Sequence, residues 1–154
     1  MHVLIVDDHP LIREGLANVL RELDAEIDIR EAEDAEVALA ALQADASLSL
    51  ILLDLFVPGA DGFGLLAQVR DLRPDVPVVV LSAHDGREQV LAAIDAGAMG
   101  FISKRSSTSV LVGAIRLVLS GGVYLPPQVL NAMTDAPAGR PAEGNAPIAP
   151  AGGS

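Results

Sequence analysis

The chain has 154 residues, 51% of them apolar, no cysteine and a formal net charge of −11. That length fits one domain with a short appendage, and the missing cysteines exclude a disulfide scaffold, a zinc finger and a thiol nucleophile. So acidic a chain repels phosphate backbones, and an aromatic content of 3% offers no base-stacking platform, so the chain itself is not expected to bind DNA.

The first predicted element is a strand over 2–6, HVLIV. It gives way at once to Asp7, too short a run for a signal peptide or a membrane span, which points to a soluble, cytoplasmic protein. Ile12, Leu16, Val19, Leu20 and Leu23 then share one face at helical spacing. A mixed run over 27–32 predicts the second strand. Asp34 stands as the N-cap of a helix with Leu39 and Leu42 on one face. A third strand over 48–53 precedes the stripe Leu65, Leu66, Val69 and Leu72, which Pro74 stops. A fourth over 76–81 precedes Val90, Leu91 and Ile94, closed by Gly97. A short strand over 100–103 leads into a helix that opens at Ser107 or Thr108 and runs to Gly121-Gly122.

The first, third and fourth runs are nearly continuous Val, Ile and Leu, as in strands covered on both faces. The second and fifth are mixed and read as edges. Alternating strands and helices predict an α/β fold, a flavodoxin-like doubly wound (βα)5 parallel sheet with right-handed crossovers and order 2-1-3-4-5. This pattern covers residues 1–131. Residues 132–154 contain seven Ala, four Pro and four Gly, too little apolar surface to offset ordering entropy, and predict a flexible linker or tail.

In such sheets ligands sit outside the carboxyl ends of the strands. Asp7 and Asp8 end the first strand, Asp54 the third, Ser82 the fourth, and Ser103 with Lys104 the fifth. Order 2-1-3-4-5 makes the first and third strands neighbours about 4.8 Å apart, so three carboxylates meet with a hydroxyl and an ammonium facing them. Unpaired, they would repel one another, and a hard divalent cation relieves that repulsion. Magnesium, with a lysine opposite to neutralise a phosphoryl group, points to phosphoryl transfer onto a carboxylate. Each residue alone has a plainer reading. Asp-Asp can cap the next helix, Asp54 can be a loop residue, Ser82 a turn hydroxyl and Lys104 a solvated charge; their coincidence on one rim favours chemistry. His9 and His84 read as loop histidines, because nothing pairs them at ligand spacing. No phosphate-binding glycine motif follows a strand.

The runs VDDHPLIREGL, LLDLFVPGADGFGLL, VVVLSAHD and AGAMGFISKRSS together resemble the signature segments of a response-regulator receiver domain. The first and last, with GGVYLPPQV after the fifth helix, resemble the NarL/FixJ (LuxR-type) branch. The resemblance implies that Asp54 accepts a phosphoryl group from a sensor histidine kinase. It implies that Asp8 binds Mg2+ directly, Asp7 through water, and the backbone carbonyl of Phe56 as a further ligand. It makes Ser82 the switch hydroxyl, Lys104 the phosphate-pairing lysine and Phe101 the aromatic that changes rotamer on activation. Pro58 and Gly62 match the loop pattern after the acceptor.

There are departures. Ser82 replaces the more frequent threonine, Val57 the usual methionine, and Arg105 the proline that often follows the lysine. Phe101 lacks the hydroxyl of the usual alternative, tyrosine. The branch implies a C-terminal helix-turn-helix, and no such pattern follows Gly122 in this sequence. A piece of a longer transcription regulator that dimerises on phosphorylation and a stand-alone receiver in a phosphorelay both fit. The fifth helix carries a single charge, Arg116, between Val110 and Leu119, which fits either deep packing or a partner-facing surface. A turnover enzyme is not expected. A haloacid-dehalogenase-type phosphatase would need an acid two residues after the acceptor, where Phe56 stands. A silent docking receiver would have lost an acidic or lysine position, and none is lost.

Overall fold

The computed structural model of the protein describes residues 1–127 and 129. The tail predicted over 132–154 lies outside the described residues. The elements, in chain order, are β1 (His2–Val6), α1 (Pro10–Leu23), β2 (Asp28–Ala32), α2 (Ala35–Ala44), β3 (Leu50–Leu53), α3 (Phe63–Leu72), β4 (Val78–Ser82), α4 (Arg87–Asp95), β5 (Gly100–Ser103) and α5 (Thr108–Leu119). All strand pairs are parallel, in the predicted order β2-β1-β3-β4-β5.

Local chemistry sets the helix ends. α1 opens on Pro10, whose missing N–H costs nothing in the first turn. The Asp34 carboxylate accepts the Val37 N–H at 2.8 Å, the predicted cap of α2. Ser107 caps α5 in the same way through the Val110 N–H. Gly97, with φ 106°, closes α4: its N–H donates to Ile94 O while that of Ala98 donates to Ala93 O, the paired bonds of a left-handed helix cap.

Strands β2, β3 and β4 begin later than their apolar runs. Ile27 N–H is spent in a turn on Asp24 O, Val76 N–H on Arg73 O, and Pro77 has no N–H to give. Leu48 and Val76 are buried all the same. An apolar run reports burial, and the ladder covers only part of it. Ser82 is the last residue of β4 rather than the first of a loop.

The strand pleat divides the apolar runs between two cores. Leu4, Val6, Ile51, Leu53, Val78 and Val80 face α2, α3 and α4. Val3, Ile5, Leu50, Leu52, Val79 and Leu81 face α1 and α5. β2 is an edge with mostly exposed residues. β5 is also terminal, but every residue of it is buried. The segment after α5 returns along its outer side, with Phe101 N–H donating to Tyr124 O at 3.1 Å and Tyr124 N–H to Met99 O at 3.0 Å. A Cβ on Gly100 would lie 3.2 Å from Val118 Cγ2 and 3.4 Å from Val79 Cγ2, so the glycine lets α5 close over the sheet.

Two amphipathic readings need adjustment. Leu72, in the predicted stripe of α3, is exposed at the last residue of the helix. α5 is apolar on both faces: Ala114, Ile115 and Val118 are buried, while Val110, Leu117 and Leu119 are exposed. Among the described residues no helix is long and apolar enough to cross a membrane.

Leu52→Ala removes a side chain with no exposed surface from the α1/α5 core and is expected to cost about 2–5 kcal/mol. Leu11→Ala, at a side chain 80% exposed, is expected to stay within about 0.5 kcal/mol of wild type. Guanidinium unfolding of the two variants checks both.

Candidate functional site

Ladder bonds that continue one residue past the strands hold the site's backbone. Asp7 N–H donates to Ala32 O at 3.0 Å, Asp54 N–H to Val6 O at 2.8 Å, and Lys104 N–H to Ser82 O at 2.9 Å. Each functional residue is therefore locked onto the neighbouring strand. The chain then turns by one repeated device. Asp7 Oδ1 accepts the His9 N–H at 2.8 Å, Asp54 Oδ1 the Phe56 N–H at 2.9 Å, Ser82 Oγ the His84 N–H at 2.9 Å and Ser103 Oγ the Arg105 N–H at 3.2 Å. These are side-chain-to-backbone turns of the kind that short polar residues make two positions on. Arg105, where a proline often stands, supplies an N–H that proline lacks.

The acidic pair does not cap α1. The cap residue is His9, with no side-chain cap bond. Asp7 and Asp54 are buried, and Asp8 is exposed. Lys104 Nζ lies 2.8 Å from Asp7 Oδ2 and 2.8 Å from Asp54 Oδ2. The carboxylates are thus not all unpaired, as the sequence alone implied. The lysine crosses from the end of β5 to the ends of β1 and β3. Its contact with Asp54 is an aligned hydrogen bond. Its contact with Asp7 is equally short but less well aligned, and the buried Asp7 Oδ2 has no hydrogen bond of good geometry. Burial alone lowers the Lys104 pKa, but the hydrogen bonds and charges of Asp54 and Asp7 outweigh it and raise the value above 10.5.

Asp7, Asp8, His9 and Asp54 each offer a ligand atom, all within 4.8 Å of one another. Carboxylate oxygens in this number, two of the three carboxylates buried, fit a hard divalent cation. His9 belongs to this group although its sequence context gave no reason to place it there. Its Nδ1 is 2.8 Å from Asp7 Oδ1 and 3.1 Å from Asp8 Oδ1. His84 keeps its loop role and tilts its ring against Phe56, 5.0 Å between centroids. Phe101 is not at the rim; it is buried among the residues that face α2, α3 and α4.

Two further contacts had no sequence signal. Arg13 Nη1 donates to the Asp7 carbonyl at 2.6 Å and its Nε to Glu31 at 2.7 Å, bracing the end of β1 against β2. Arg105 Nη2 lies 3.0 and 2.9 Å from the two oxygens of Asp85. That contact holds the Asp85 carboxyl below the usual carboxylate range and ties the β4–α4 loop to the β5–α5 loop.

Residues 3–116 match the response regulator receiver domain. The chain is similar to the glycerol metabolism activator of Pseudomonas putida, 43% identical over 129 residues, which cover 84% of this chain and 58% of that one. It is similar to the transcriptional regulatory protein MctR of Rhizobium johnstonii, 34% identical over 97% of this chain and 68% of that one. Among solved structures it resembles a LuxR family DNA-binding response regulator from Silicibacter pomeroyi, with TM-score 0.73, 38% identity and coverage of 83% and 98%. The chain spans little more than half the length of the first of these relatives.

Lys104→Met leaves two buried carboxylates facing each other and is expected to cost about 3 kcal/mol in metal-free buffer. A lysine whose pKa folding raises stabilises fully below its unfolded value, 10.5, and loses that contribution as pH climbs through the folded value. The gap between wild type and Lys104→Met is therefore expected to be flat up to about pH 10 and to narrow above it, as thermal melts across pH 7–11.5 would show.

Proposed function

Because the chain belongs to the response regulator receiver family, we propose that it is a phosphorylation-switched signalling domain with Asp54 as its phospho-acceptor. The donor is a phosphohistidine on a sensor histidine kinase. The observation that carries this reading is the buried Asp54 carboxylate, held 2.8 Å from Lys104 Nζ beside Asp7 and Asp8 at the carboxyl ends of β1 and β3.

In the transfer an Asp54 oxygen bonds to phosphorus while the phosphorus–nitrogen bond of the phosphoimidazole breaks, the nitrogen keeping the electron pair. The chain contributes position and charge more than bond chemistry. The Phe56 N–H orients Asp54 through Oδ1. Lys104 exchanges its carboxylate contacts for a phosphoryl oxygen. Ser82 Oγ already accepts the His84 N–H and has its own proton left to donate to the phosphoryl group. Asp7, Asp8, Asp54 and the backbone carbonyl of Phe56 would hold Mg2+, which when bound would supply neutralising charge for the phosphoryl oxygens. Movement of Ser82 and Lys104 toward the phosphate pulls on the β4–α4 and β5–α5 loops, and Phe101, a buried residue of β5, changes rotamer in response.

The output reading rests on the surface and on the relatives. Leu11 on α1 and Val110, Leu117 and Leu119 on α5 are exposed apolar side chains. They suit dimerisation on phosphorylation. The relatives' names describe transcriptional regulators and a DNA-binding response regulator. We infer the same output here, control of transcription through a DNA-binding domain joined by residues 132–154 to the receiver over 1–131. A stand-alone receiver passing its phosphoryl group along a phosphorelay is the second reading. Both place the chain in the cytoplasm with its kinase.

Acetyl phosphate with millimolar Mg2+ is expected to add one phosphoryl group, read by intact-mass spectrometry, and Asp54→Asn is expected to abolish it. Labelling of Asp54→Asn at the wild-type level would overturn the assignment. Asp8→Ala removes one of the crowded like charges. It is expected to equal or exceed wild type in metal-free thermal stability and to show no Mg2+-induced shift in Tm, where wild type shows one.

A further inference from the structure

We propose that His9 is itself a ligand of the cation site and tunes it toward first-row transition divalents that accept imidazole, at the expense of its preference for magnesium. The inference rests on the reading that Asp7, Asp8 and Asp54 hold a divalent cation. It adds a nitrogen donor to that oxygen set.

The geometry is that of neighbouring ligands on one ion. Two donors at right angles about a cation with bonds of about 2.1 Å lie about 3.0 Å apart. His9 Nδ1 donates to Asp7 Oδ1 at 2.8 Å and stands 3.1 Å from Asp8 Oδ1, so a cation seated between them would take the place of that proton. All four candidate donors, from Asp7, Asp8, His9 and Asp54, fall within 4.8 Å of one another. Asp7 Oδ2, buried beside them, has the Lys104 ammonium at 2.8 Å but no aligned hydrogen bond, so one cation is all that balances the carboxylates from the protein's side.

The local backbone explains why the imidazole is available. His9 occupies the cap position of α1 but makes no side-chain cap bond, so the helix does not use its ring. Its own N–H is anchored on Asp7 Oδ1 at 2.8 Å, and Pro10 restricts the backbone on the other side. The side chain is thereby tethered over the carboxylates while remaining mostly open to solvent. Ligation would exchange the Nδ1–H hydrogen bond to Asp7 Oδ1 for a metal bond, with the lone pair on Nδ1 and the proton on Nε2.

The consequence for selectivity follows from donor chemistry. Magnesium takes oxygen ligands and keeps its waters, so an imidazole adds little to its binding. Nickel and its neighbours gain substantially from imidazole nitrogen. The acidic triad alone would bind either class through charge; His9 separates them.

The test uses the untagged 154-residue chain and its His9→Ala and His9→Asn variants, with Ni2+ and Mg2+ as probes in calorimetric titrations, singly and in competition. His9 is exposed and caps nothing with its ring, and asparagine is a good cap residue, so both variants are expected to keep the wild-type circular dichroism. Wild type is expected to bind Ni2+ at a Mg2+-competable site, and both variants to lose about tenfold or more in Ni2+ affinity while Mg2+ affinity changes less than about threefold. Pulsed EPR of the Mn2+-loaded protein is expected to show nitrogen coupling in wild type and none in His9→Ala. Ni2+ affinity within about threefold of wild type in both variants, or nitrogen coupling that persists in His9→Ala, overturns the role of His9 and leaves the acidic site standing. Wild type that binds neither cation at this site overturns the cation reading itself.

Discussion

Two carboxylates buried on adjacent strands repel each other, and the fold answers with one ammonium that reaches both. Lys104 Nζ stands 2.8 Å from Asp7 and 2.8 Å from Asp54. The contact requires β1, β3 and β5 to end at one level, so sheet register, crossover direction and loop length all bear on it. It also leaves the charge incompletely balanced. Three acidic side chains face one lysine and one histidine, and Asp7 Oδ2 has no aligned donor. A group that brings positive charge, or a phosphoryl group that draws the lysine away, alters the same balance. That shared dependence is a physical route from chemistry at Asp54 to movement of the surrounding loops.

The turns that end four of the strands do two things at once. A carboxylate or hydroxyl at the strand's end accepts the N–H two residues later, which bends the chain away from the sheet and holds the same oxygen in a single orientation. Asp7, Asp54, Ser82 and Ser103 are therefore structural residues as well as candidates for chemistry. The plain reading of each and the functional one are not rivals here. A side chain held by its own turn is already placed for a reaction, with little ordering left to do.

His9 and Arg105 show how far residue patterns carry. A lone histidine after an acidic pair has no partner at ligand spacing in the sequence, because its partners are the carboxylates immediately before it, folded back by a turn. Arg105 stands out in the sequence only as the residue in place of a proline after Lys104, yet it meets Asp85 from a different loop at 3.0 and 2.9 Å. Arg13 likewise braces the Asp7 carbonyl from the first turns of α1. Each contact joins segments whose approach depends on loop conformation, for which neither periodicity nor composition carries a signal.

The sequence by itself determined the element types, the strand order and the roster of rim residues. Continuous Val/Ile/Leu runs, 3.6-residue stripes, and glycine and proline stops are local consequences of backbone geometry, and parallel crossovers leave few topologies open. Asp7, Asp8, Asp54, Ser82 and Lys104 were legible because each ends or follows a strand, and the ends of parallel strands share one side of the sheet. Tertiary structure alone decided which carboxylates are buried, that Lys104 pairs with two of them, that His9 joins them, and that β5 is an edge sealed by the segment at Tyr124. It also decided that Leu72 and half of α5 face solvent, although their spacing matches that of buried residues. The physical reason is one of range. Propensity and periodicity act over a few residues, whereas burial and charge pairing depend on what another part of the chain brings to within about 3–4 Å.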